Sequence, residues 1–118
     1  MALGGGVTLG ILVLVGWAQS RRALAIGYTK ARLDCCRMAA TNFFALAGRW
    51  PGSPEELVSN STGYVFVAPE TIAADGWGRP FIYEPYRDTV GYGRFVSYGR
   101  DGLPEGTGAD SDLEVRFP

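Results

Sequence analysis

Residues 24–48, LAIGYTKARLDCCRMAATNFFALAG, decide the fold. No proline interrupts this stretch, and its one interior glycine, Gly27, lies near the start. Leu24, Tyr28, Ala31, Cys35, Ala39, Phe43 and Leu46 recur every three or four residues, so the spacing predicts an amphipathic helix with one buried stripe. Lys30, Asp34 and Arg37 share the opposite face with alternating sign. Phe43 and Phe44 read as core, and Gly48 as the C-terminal stop.

Toward the N-terminus the pattern loses its charge. Residues 1–20 hold no Asp, Glu, Lys or Arg, and Val7 to Ala18 is almost continuously apolar. Twenty helical residues rise about 30 Å, the thickness of a bilayer core. Residues 1–22 are therefore read as a membrane anchor that runs into the amphipathic helix as one rod, with 23–118 as the domain it carries. A cleaved secretory signal is the rival reading. Ala23-Leu24-Ala25 offers a small-x-small site, but the start, Met1-Ala2-Leu3, lacks a positive charge. Arg21-Arg22 after the apolar run would favour a cytoplasmic C-terminal side.

Toward the C-terminus, Ser53-Pro54-Glu55-Glu56 predicts a short helix capped by Ser53. It is ended by the turn chemistry of Ser59-Asn60-Ser61-Thr62-Gly63. Beyond Gly63, apolar or aromatic runs alternate with Gly, Pro and Asp, giving candidate strands at Tyr64–Val67, Pro80–Glu84, Arg94–Tyr98 and Leu113–Phe117. In the last, Leu113, Val115 and Phe117 face one way, and Glu114 and Arg116 the other. A long helix followed by strands predicts an α+β domain, a small antiparallel sheet laid on the helix. Within Asp75-Gly76-Trp77-Gly78-Arg79-Pro80 the glycines let the backbone turn sharply, and Trp77 reads as a core anchor.

The loop from Ser97 to Leu113 is glycine-rich and carries Asp101, Asp110 and Asp112. Aspartates so placed repel one another unless a cation sits among them. Calcium, which mixes carboxylates with carbonyls in irregular geometry, would suit Asp101, Asp110 and Asp112 with carbonyls from residues such as Tyr98 and Leu103. An ordinary hairpin loop, each aspartate turning onto its own backbone, accounts for the same residues. Spacing leaves both readings open.

Composition narrows the function. Net charge is −1, which argues against a nucleic-acid partner. There is no histidine, so the commonest general base is missing. Cys35 and Cys36 are adjacent, their Cα atoms only about 3.8 Å apart, too close for an unstrained bridge. An acid–base pair, Asp110 with Asp112, is conceivable, but a domain this small has little room for a substrate cleft. The chain reads as non-catalytic, with no small-molecule substrate. Six basic residues precede position 51 (Arg21, Arg22, Lys30, Arg32, Arg37, Arg49). Residues 98–118 hold five acids (Asp101, Glu105, Asp110, Asp112, Glu114), so a basic stem could meet acidic tails of neighbours or each could simply face solvent.

Four segments in order carry a resemblance: Trp50-Pro51 with Glu55-Glu56-Leu57; Asp75-Gly76-Trp77-Gly78-Arg79-Pro80-Phe81-Ile82-Tyr83; Ser97-Tyr98-Gly99-Arg100-Asp101-Gly102; and Gly106-Thr107-Gly108-Ala109-Asp110-Ser111-Asp112-Leu113. Over roughly residues 28–113 the chain resembles the major pseudopilin of type II secretion systems. There a Tyr-Pro segment ends the long helix, Asp-Pro-Trp-Gly precedes a strand, and Ser-Leu-Gly-x-Asp-Gly leads to a terminal Asp-Ile. The resemblance implies a pilin-like fold on the bacterial inner membrane with its C-terminal domain in the periplasm. It implies partners among other pseudopilins and secretion-machinery components, and a structural role in protein export. It also implies calcium in the terminal loop, mapped onto Asp101, Asp110 and Asp112 with carbonyls near Tyr98 and Leu103, the middle ligand being Asp110 or Ser111. Gly76 stands where the motif has proline and Phe81 where it has tyrosine. The leader lacks Lys and Arg, and Ile11 stands where the family has glutamate. The alternative is a tethered or secreted calcium-binding interaction domain that does not polymerise.

Overall fold

The computed structural model describes the backbone of residues 2–118 and the side chains of 21–118 apart from that of Ala109. Helix α1 runs unbroken from Ala2 to Ala47, so the expected single rod forms. The anchor expected over residues 1–22 rests mostly on side chains outside the described residues. Among the described residues no helix is long and apolar enough to cross a membrane. Gly48 ends α1 at φ 75°, its amide donating to the Phe44 carbonyl at 2.9 Å, a left-handed stop that glycine adopts without strain.

Three strands follow: β1 (Ile82–Arg87), β2 (Tyr92–Ser97) and β3 (Leu113–Phe117), in an antiparallel meander of order β1-β2-β3. The register places Tyr83 opposite Phe95, Phe95 opposite Val115, and Gly93 opposite Phe117. By the two-residue strand period these share the face laid on α1. β3 matches the expected range and alternation. β1 begins after Pro80 and runs past Pro85 through an irregularity between Glu84 and Arg87, on an edge strand where the missing proline amide does no harm.

The core comprises Leu33, Cys36, Ala39, Ala40 and Phe43 of α1, Leu57, and Phe81, Phe95 and Phe117 from the sheet and its approach. This corrects the expected stripe. Ala39 and Phe43 are buried as expected, but Leu24, Tyr28 and Leu46 are 71%, 48% and 52% exposed, and Ala31 and Cys35 are also exposed. The buried line is Thr29, Leu33, Cys36, Ala40 and Phe43, roughly a quarter-turn round the helix. α1 carries two adjacent apolar lines, and three-four periodicity cannot say which one a sheet will cover.

Three smaller expectations are also corrected. Tyr64–Val67 forms no strand. Tyr64 and Val65 are exposed, and the segment is held where Phe66 meets Phe43 edge-on at 5.5 Å and the Phe66 amide donates to the Leu57 carbonyl. A short helix, α2 (Pro69–Ala73), follows it instead, and Arg32 of α1 donates to the carbonyls of its Glu70 and of Ala74, which caps it. Ser53 makes no side-chain cap on the 3-10 turn Pro54–Leu57; Glu56 accepts from the Gly52 amide at 2.8 Å and pairs with Arg49. Trp77 is half-buried and lies outside the core cluster. Trp50 takes the anchoring role, stacked on Phe44 at 4.4 Å and against Phe117 at 5.1 Å.

Candidate functional site

The two motif segments that stand apart in the sequence form one clasp around a buried carboxylate. Asp75 is 4% exposed. Its Oδ1 accepts from the Trp77 and Arg79 amides at 2.9 and 3.0 Å, and its Oδ2 accepts from the Ser97 hydroxyl at 2.7 Å. The Ser97 oxygen accepts in turn from the Gly99 amide. A buried carboxylate is tolerated when each oxygen is hydrogen-bonded in this way. The clasp ties the turn before β1 to the end of β2. Oxygen acceptors placed two and four residues before the amides they serve are the signal that the sequence held for it.

The same turn is fastened to α1 through Gly76. Its amide donates to the Thr29 hydroxyl at 2.8 Å, and that hydroxyl donates to the Ala25 carbonyl at 2.7 Å. A Cβ at position 76 would overlap the Ala25 carbonyl. On the face of the sheet that meets α1, the Tyr83 hydroxyl donates to the Pro51 carbonyl, and burial pushes the phenol above its ordinary pKa.

In the terminal loop the aspartates are distributed rather than gathered. Asp110 pairs with Arg100 through two bonds, Nε to Oδ1 at 3.0 Å and Nη2 to Oδ2 at 2.9 Å. The Arg100 guanidinium, followed by the Asp101 amide and the charge of Arg22, holds the Asp110 carboxyl below the usual carboxylate range. Asp101 accepts from the Leu103 amide at 3.0 Å, and Asp112 from the Glu105 amide at 3.1 Å. Tyr98 is half-buried, Leu103 is 62% exposed, and Ser111 donates its amide to the Gly108 carbonyl. Among the described residues no three acidic or thiol side chains assemble into a metal-holding group. So arranged, one carboxylate is held by a guanidinium and two by backbone amides, and a calcium ion would require all three to re-aim.

Of the two thiols, Cys35 is exposed and Cys36 buried. Burial, and secondarily the neighbouring Cys35, push the Cys36 thiol up to about 12, which leaves it a poor nucleophile.

A continuous helical rod capped by a three-stranded meander, with its polar chemistry used to close loops, defines a pilin-like subunit. A family match agrees: the family described as type II secretion system (T2SS), protein G, matches residues 45–116. The chain belongs to this family, that of the major pseudopilin. The family is one of structural, non-catalytic subunits associated with the envelope secretion machinery. No curated protein sequence matches the chain.

Proposed function

We propose that this protein is a building block of a type II secretion pseudopilus or a related pilus-like assembly, held in the inner membrane by residues 1–22 with residues 23–118 in the periplasm. The observation that carries the proposal is the second apolar line of α1. Leu24, Tyr28, Cys35, Met38 and Leu46 stay exposed along one side of the helix after the sheet has covered the other. An open groove of about 600 Å³, lined by Leu24, Ala25, Gly27, Tyr28 and Gly76 among others, continues that face. Contiguous apolar surface of this kind marks an interaction site, and the family supplies the occupant: other pseudopilin subunits. Calcium in the terminal loop belongs to the same proposal as the family's expectation. Binding would require Asp110 to leave Arg100 and the three carboxylates to turn toward one another.

The test is to charge the exposed line without touching the core. Full-length protein carrying Tyr28→Asp and Met38→Asp should keep the melting temperature of the parent in detergent and lose assembly with partner pseudopilins in the membrane. Undiminished assembly of the variant would remove the exposed line as the contact surface, and a parent protein that never assembles would favour the tethered domain that does not polymerise.

A further inference from the structure

We infer that Arg100 is a built-in counter-cation that closes the terminal loop on Asp110 without a divalent ion, and that any ion entering the loop must first displace it. The inference rests on the calcium reading only in its second half.

Two guanidiniums cover the two kinds of oxygen that a cation would use. Arg100 takes both Asp110 oxygens in a forked pair, the strongest geometry available to a carboxylate. Arg79 takes carbonyls at the start of the loop, its Nη1 donating to the Arg100 carbonyl at 2.6 Å and to the Gly99 carbonyl at 3.3 Å. The two arginines are thus linked in series, because the residue whose side chain holds Asp110 has its carbonyl held by Arg79. The loop is shaped for this arrangement. Gly102, at φ 70°, lies so close beneath the Arg79 side chain that a Cβ there would meet its Nε and Cζ. Gly106 lies against the backbone and Cβ of Asp110. A positive charge on a neighbouring residue offsets the repulsion among Asp101, Asp110 and Asp112, as a bound ion would. It is tethered, so it acts at a fixed high local concentration. A calcium ion competing for Asp110 binds more weakly by the factor that Arg100 contributes to closure.

Thermal melts of the full chain in detergent, wild type against Arg100→Gln, in chelator and in calcium, separate the two halves. In chelator the variant should melt several degrees lower. In calcium it should recover, with an apparent Kd at least tenfold tighter than that of the wild type. Coincident melts in chelator would overturn the counter-cation. Equal calcium affinity in the two proteins would overturn the displacement. A lower melt in chelator with no calcium response in either protein would uphold the arginine closure and remove calcium from the loop.

Discussion

At Gly76 the chain departs from the Asp-Pro-Trp-Gly pattern, and the helix beside it supplies the reason. Proline there would remove the amide that Thr29 receives and press its ring against the Ala25 carbonyl. Gly76→Pro, although it restores the family residue, should therefore destabilise the protein by about 2 kcal/mol or more. Thr29→Val, which keeps the shape and loses the acceptor, should reproduce part of that loss in chemical denaturation. The same scale separates the tryptophans. Trp50→Ala should cost about 3 kcal/mol, as truncation of a large core aromatic does. Trp77→Ala should cost clearly less, because Trp77 stands outside the core cluster. Equal losses in thermal melts would mean that Trp77 anchors the sheet after all. Asp75→Ala leaves the Trp77 and Arg79 amides and the Ser97 hydroxyl without their acceptor, and should be among the most damaging single changes in the domain.

At the scale of elements, the β2–β3 pair depends on a glycine. Gly93 faces Phe117, and a Cβ at 93 would run into that ring. Gly93→Ala should lower the melting temperature while an alanine at exposed Gly63, whose Cβ would meet nothing, costs only backbone strain at φ 80°. The sheet's outer face carries Arg94 between Glu84 and Glu114, and α1 is followed by the Arg49–Glu56 pair. These arginines, through their side-chain hydrogen bonds, hold Glu56 and Glu84 below the ordinary carboxylate range, as Arg100 does Asp110. A depressed carboxylate contributes stability that is complete above its unfolded pKa, about 4, and is lost as pH falls through the folded value. Melting temperature should accordingly hold steady down to about pH 5 and decline below about pH 4, modestly, since the pairs are solvent-accessible. A decline that begins near neutral pH would contradict this assignment.

Much of this scale was legible in the sequence. The unbroken helix, the Gly48 stop, the alternation of β3 and the α+β class all follow from local chemistry that tertiary contacts did not override. The buried side of α1 was not legible, because both lines of apolar residues have helical spacing and only one receives the sheet. The Asp75–Ser97 bond joins residues 22 apart, so neither segment alone announces it. In the terminal loop the aspartates are legible, but the role of Arg100 is not, since an arginine among acids has the pattern of solvated surface and only the fold sets its fork on Asp110.

At the scale of the whole molecule, the long dimension of 72 Å is set by α1, and the domain packs around one end of that rod. One side of the helix holds the sheet, and the adjacent side leaves Leu24, Tyr28, Cys35, Met38 and Leu46 exposed. That division makes Cys35 and Cys36 a matched probe, the first on the open side and the second inside the core. The most direct measurement is oxidative crosslinking of full-length protein in membranes alongside partner pseudopilins, comparing wild type, Cys35→Ala and Cys36→Ser. The account predicts crosslinked species in the membrane fraction from wild type and Cys36→Ser, and none from Cys35→Ala. Recovery only as a soluble monomer trimmed near Ile26, with Cys35 uncrosslinked, would contradict it.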